Sequence, residues 1–332
     1  MRFLKNLAKS ILTRLAYHYG HHRRQHHEPK LWILMYHRIL PTDDPRYHIE
    51  EPGMVVTPET FEMHLQEIKR YFTVMRLQDW VDAQESGAQL PLKTCVVTFD
   101  DGWMDNFEYA LPLLKKHQVP ATLFAVAEKI DTSFQFWPNM VMWLLFNAGE
   151  TFLQQDPLLG KYYPQDKSII DREFAAEYIR KLKGLSDKDI FTALARIKEQ
   201  SNLLQAMPRA LMNWNELKQM QNSGLVDIGS HTCSHKRLTH HLGTEELQHE
   251  IIQSRELLES QLEQKINLFC FPNGDYNRIA LDLVAATYKA AVTTQKGIVT
   301  YNNFSLHELK RIGLHQQVSG TKRDFGARLS GI

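Results

Sequence analysis

Thr98-Phe99-Asp100-Asp101-Gly102-Trp103 is the stretch from which the fold can be read. The residues leading into it, from Thr94 to Phe99, are β-branched and apolar in near-continuous run, as in a strand buried on both faces. Two carboxylates arrive where that run stops. Side chains of neighbouring strand residues point to opposite faces, so Asp100 and Asp101 can share a site only at a strand end. Gly102 supplies the backbone freedom that such a bend needs. Two carboxylates at close quarters resist joint ionisation unless a cation or hydrogen-bond donors offset them. Taken alone, Asp-Asp-Gly reads as an ordinary solvated turn.

Outward from this stretch, strand-like and helix-like segments alternate. Leu31 to Ile39 is an apolar run interrupted by Tyr36-His37-Arg38. Thr57-Pro58 is a helix start, a capping residue with proline at the first helical position. Phe61, Leu65 and Ile68 carry the apolar stripe of that helix. Phe72 to Leu77 suits a short strand, and Asp79 opens a helix ending near Gly87. Downstream, Asn106 to His117 predicts a helix kinked at Pro112, and Pro120 to Val126 the next buried strand. Residues 131–208 lose the beat and predict a helical insertion, either a wall or lid over a site or a flap on the core. The beat resumes with a helix from Trp214 to Gly224 and a strand from Leu225 to Ser230. Asn277 then caps a helix to Tyr288, and Ala290 to Thr294 is a late strand. Strands alternating with helices predict an α/β fold with a parallel sheet or barrel.

The Leu225–Ser230 strand delivers His231-Thr232-Cys233-Ser234-His235. Two histidines four apart in one helical turn would face the same way and suit one cation. Thr232 stands where a zinc-protease motif requires Glu, and Cys233 would point away from a cation held by both histidines. Both motifs lie at the carboxyl ends of predicted parallel strands, where barrels and open α/β folds place their chemistry. One carboxylate plus two imidazoles is a three-ligand set for a catalytic zinc, which leaves the second carboxylate free to take a proton from water.

These two motifs, with Val119-Pro120-Ala121-Thr122-Leu123-Phe124 between them, resemble the polysaccharide deacetylase (NodB-homology, carbohydrate esterase) family. The resemblance covers roughly residues 31–130 and 213–315. It implies a distorted (β/α) barrel of about seven parallel strands with a helical insertion. It also implies removal of N-acetyl groups from an amino-sugar glycan with a divalent metal, usually zinc. Carried over, Asp101, His231 and His235 would be the metal ligands and Asp100 the general base, with a backbone N–H near Trp103 on the oxyanion. Met35-Tyr36-His37-Arg38 resembles the exopolysaccharide poly-N-acetylglucosamine deacetylases and makes His37 the general acid; Ile312-Gly313-Leu314-His315 offers His315 instead. Trp103, Pro272, Asn273 and Asp275 are the expected substrate contacts. Cys270 stands where many members carry an arginine that pairs with the catalytic aspartate. That departure leaves a non-catalytic sugar-binding or assembly protein as one alternative, and the two-His-one-carboxylate set leaves a non-haem iron oxygenase as another.

Composition sets the outer bounds. The 332 residues, 43% hydrophobic and 23% charged, allow one or two domains with a sizeable core. A net charge of +1 gives no whole-chain attraction to nucleic acid. Three scattered cysteines, Cys95, Cys233 and Cys270, make no disulfide framework and fit a reducing compartment. Residues 1–29 read as a basic segment and linker before a barrel domain at 30–320. Phe3, Leu4, Leu7, Ala8, Ile11, Leu12 and Leu15 recur at helical spacing among basic residues, with no acidic residue before Glu28. Residues 1–19 therefore read either as an amphipathic helix on an anionic membrane face or as a helix on the protein's own body. His21, His22, His26 and His27 read as a solvated linker. The basic start, which is not a good signal peptide, predicts a cytoplasmic protein with peripheral contact to the inner membrane face through residues 1–19 as one option; the family resemblance implies that it acts on an N-acetylated sugar polymer or lipid-linked oligosaccharide in envelope polysaccharide synthesis.

Overall fold

The computed structural model describes residues 2–164, 169–301 and 304–331. Its centre is a closed barrel of seven strands: β1 (Lys30–Tyr36), β2 (Lys93–Phe99), β3 (Ala121–Ala125), β4 (Val226–Ser230), β5 (Leu268–Cys270), β6 (Ala290–Lys296) and β7 (Leu309–Gly313). Each pairs in parallel with the next, and β7 returns to β1. This is the parallel barrel that the alternation allows and the distorted (β/α) form that the resemblance implies.

Closure is uneven. β1 and β2 run in register from Lys30 opposite Lys93 to Tyr36 opposite Phe99. β1 meets β7 only at Leu34–Ile312 and Met35–Gly313, and the β6–β7 register slips between Leu309 and Arg311. Alternation along the strands sorts the side chains. Leu31, Ile33, Val96, Phe124, Leu268, Val292 and Leu309 form one cluster, joined by Leu77, Trp80 and Val81 of the helix Leu77–Glu85. Trp32, Leu34, Tyr36, Val97, Phe99, Leu123 and Phe269 pack instead with the surrounding helices.

The kink predicted at Pro112 takes a different form. Asn106–Ala110 is a π-helical turn, its Leu111 N–H reaching Asn106 C=O, and it runs into the helix Leu111–His117. Proline has no N–H to continue the ladder, and the wider turn absorbs that mismatch. The insertion packs its helices Trp137–Phe146, Arg172–Leu182 and Asp187–Gln200 around a separate core that includes Leu145, Phe174, Tyr178, Ile190 and Leu194.

The ends of the chain meet. The helix Arg2–Tyr19 lies against the helix Lys322–Leu329, and Gly20 makes this possible, since a Cβ there would fall 1.7 Å from Ser330 Oγ. His22, expected in a solvated linker, is instead buried and hydrogen-bonded to Ser330 Oγ at 3.1 Å. Phe325 stacks on His64 at 4.0 Å and joins the main core with Leu329, so the packed body runs beyond residue 320. Among the described residues no helix is long and apolar enough to cross a membrane.

Candidate active site

Asp100 continues the face of β2 that carries Val96 and Thr98 into the barrel, so strict alternation would turn Asp101 outward. A three-residue turn prevents this. Gly102 N–H bonds Asp100 C=O at 3.0 Å, with Asp101 at φ +75° and Gly102 at φ +84°. A non-glycine residue in that region costs on the order of 1–3 kcal/mol and persists only when its surroundings hold it. The holding group is Trp103, whose Nε1–H donates to Asp101 Oδ2 at 2.8 Å. Trp103 is itself pinned, with the Arg38 guanidinium 4.2 Å from its ring centre. Asp105 and Glu50 accept from Arg38 at 2.9 and 2.6 Å, all within the protein interior.

The histidine motif follows β4, and His231 N–H extends the ladder to Ala125 C=O. The helical turn predicted for residues 231–235 is absent. The segment is a loop with Thr232 and His235 at φ +65° and +64°, tied by His235 N–H to Thr232 Oγ1 at 2.9 Å. Backbone reversal, not helical periodicity, brings the two rings to one side. His231 Nε2 and His235 Nε2 each lie 3.3 Å from Asp101 Oδ1. His231 Nδ1–H donates to Cys270 C=O at 2.8 Å, which leaves the Nε2 lone pair facing Asp101. Cys233 is turned away and buried, its thiol on His249 C=O at 3.3 Å.

Asp101, His231 and His235 thus present three ligand atoms to one point. Zinc–nitrogen and zinc–oxygen bonds of about 2.0–2.2 Å in a tetrahedron separate the donors by roughly 3.3–3.5 Å. The observed 3.3 Å spacings match, so these side chains fit a divalent metal of that size. Burial pushes the Asp101 carboxyl up, but the two imidazoles outweigh it and hold it well below the usual carboxylate range.

Arg311 is the residue that the sequence reading missed. Its Nη1 and Nη2 donate to Asp100 Oδ1 and Oδ2 at 2.7 Å each, and Nε donates to Thr293 C=O at 2.8 Å. The pair is fully buried, and Arg311 Nη2 also reaches the Cys270 thiol at 3.2 Å. The arginine absent at Cys270 is therefore supplied from β7. Burial raises the Asp100 carboxyl, and the guanidinium more than reverses this, holding it below its ordinary range. A detectable signal existed: Arg311 shares the alternation phase of Leu309, and a charge on a buried strand face must find a partner.

The register that pairs Tyr36 with Phe99 sets His37 beside Asp100, with Nε2 3.8 Å from Oδ2. His37, Asp100, Asp101, Trp103, His231 and His235 all line one cavity of about 530 Å³. Asn273 and Asp275 line it too, whereas Pro272 is buried in its turn and is not part of the lining. His315 lies outside the lining and bonds Gln317 Oε1 at 2.8 Å. The insertion forms a wall of the cavity, through Phe134, Phe136, Trp137 and Phe191. Arg237 secures that wall, donating to Asp187 and to Leu185 C=O, and Arg172 donates to Glu50 C=O.

The polysaccharide deacetylase family model matches residues 87–291. YxkH of Bacillus subtilis is 23% identical over 307 residues, 91% of this chain and 77% of that protein. The poly-β-1,6-N-acetyl-D-glucosamine N-deacetylase of Staphylococcus epidermidis is 23% identical over 204 residues, 58% of this chain and 69% of that protein. The Streptococcus pyogenes deacetylase PplD, solved with acetate, superposes with a TM-score of 0.59 at 20% identity, covering 92% of this chain and 99% of that one.

Proposed function

The chain belongs to the polysaccharide deacetylase family, and from that premise we propose that it hydrolyses N-acetyl groups of an amino-sugar glycan or glycolipid in envelope polysaccharide synthesis. The observation that carries this reading is the convergence, in one cavity, of the ligand trio Asp101, His231 and His235 with Asp100 held by Arg311 and His37 opposite. A divalent metal held by the trio would polarise the acetyl carbonyl and bring water's pKa from 15.7 to about 7.

The remaining work falls to the chain's own groups. Asp100, kept ionised by Arg311, takes a proton from the attacking water as its oxygen bonds the amide carbon. An N–H near Trp103 donates a hydrogen bond to the carbonyl oxygen as negative charge develops on it. His37 gives a proton to the sugar nitrogen as the carbon–nitrogen bond breaks, so acetate and a free amine leave. Phe134, Phe136, Trp137 and Phe191 offer apolar surface to a sugar ring. The motive for a non-catalytic reading was a missing arginine, and Arg311 removes it.

Acetate release from a panel of N-acetylated glycans, with and without chelator, tests the proposal. Chelator-sensitive release is expected; release from no glycan, or release indifferent to chelator, would refute it. Two variants separate the roles. His231→Ala should lower bound metal from about one per chain to near none, read by metal analysis of the purified protein. His37→Gln should keep the metal and lose the alkaline limb of the pH–rate profile, at a cost of about 10²–10⁴ in kcat. A His37→Gln profile of unchanged shape would return the acid role to another group.

A further inference from the structure

We propose that the helix Arg2–Tyr19 docks the enzyme flat on an anionic lipid surface, with its exposed apolar stripe as the inserted face. Successive residues of a helix turn by about 100°, so Thr13, Ala16 and Gly20 fall together on one side, and this side is buried against the body. Ser330 fixes it there, its Oγ–H donating to Ala16 C=O at 3.0 Å. Ile11, Leu12, Leu15 and Tyr19 fall within an arc of about 100° on a second face, centred about 120° round the helix from the buried one. They are 54%, 51%, 51% and 67% exposed.

Single exposed hydrophobics are ordinary. Here four of the eight large ones exposed among the described residues share one face of one helix. The body uses the other face, so the self-packing of this helix does not account for the stripe.

Charge selects the occupant. Residues 1–27 carry Arg2, Lys5, Lys9, Arg14, Arg23 and Arg24 and no acidic residue. A second copy of the chain would bring an equally basic helix against this one, and the two would repel. Anionic headgroups instead complement it, while the apolar stripe reaches the acyl boundary. The helix is not apolar enough to span, so it lies in the interface. The segment that follows packs at the amino ends of the strands, where Lys93 Nζ donates to His22 C=O and His26 approaches the Trp32 ring at 5.8 Å. The catalytic groups sit at the carboxyl ends. A docked molecule therefore carries its cavity on the end of the barrel away from the helix, toward sugar chains in solution or held clear of the surface.

The test is co-sedimentation of the full chain with vesicles of phosphatidylglycerol and phosphatidylcholine mixed, or of phosphatidylcholine alone, at low and high salt. Binding at least about tenfold stronger to the anionic vesicles is expected, weakening at high salt. The double variant Leu12→Glu/Leu15→Glu should lose about tenfold or more of that binding while its melting temperature and its turnover of a soluble substrate stay unchanged. Equal pelleting of the variant, or no preference for anionic vesicles, would overturn the proposal. So would a lipid-free dimer, seen by sedimentation velocity, that the double variant abolishes.

Discussion

Asp100→Asn should lower kcat by about 10²–10⁴ while the protein still binds one equivalent of metal. The amide keeps the shape of the side chain and can accept from Arg311 at one position, but it has no charge and no capacity to take the proton from water. The trio Asp101, His231 and His235 does not involve Asp100, so metal content should not follow activity. Metal analysis beside steady-state turnover distinguishes the two quantities. An Asp100→Asn enzyme of full activity would end its assignment as the base, and one that lost metal along with activity would move it into the ligand set.

Arg311→Met should cost about 3–5 kcal/mol of folding stability at neutral pH, the usual consequence of leaving one buried charge without its partner. Its pH dependence should also change sign. With Arg311 present, the folded Asp100 carboxyl lies below its unfolded value. That stabilisation is in place above the unfolded pKa and is lost as pH falls through the folded one. Without Arg311, burial is the largest influence left on Asp100, against the weaker pull of His37 and His231, and it lifts the pKa relative to the parent. The charged form is then the penalised one, and the variant should gain relative stability as pH falls toward the raised value. Urea melts across the acid range read this directly. Arg311→Lys keeps a charge but loses the fork geometry, so it should fold better and move the acid limb of the rate profile upward. Parallel pH–stability curves for the parent and the methionine variant would show that the pair does not set the ionisation of Asp100.

What was legible in the chain follows from distance along it. The two candidate metal motifs are local: Asp100 and Asp101 are neighbours, and His231 and His235 lie four apart. Their convergence needs only that β2 and β4 belong to one parallel sheet. The histidine spacing brought out two residues that the structure does set together, though through a different local structure, because a loop with two left-handed residues puts the rings on one side as a helical turn would. His37 was singled out by a resemblance and by its place near the end of a strand-like run, and the β1–β2 register sets it beside Asp100. For Arg311 the alternation with Leu309 marked a buried charge but not its partner, which lies 211 residues away. The insertion's role was undecidable from composition, since its aromatic residues serve both its own core and the cavity wall. Trp103, expected to touch substrate, holds the Asp101 carboxylate through its indole N–H.

The meagre junction between β1 and β7 has a consequence for how the enzyme can fail. Only two residue pairs join those strands, and the Arg311–Asp100 clasp spans the same breach, from β7 across to β2. Catalytic tuning and the integrity of the cylinder therefore share one fastening. Substitutions that loosen it would gape the wall and blunt the chemistry together, so stability and turnover should decline in step along this side and independently elsewhere.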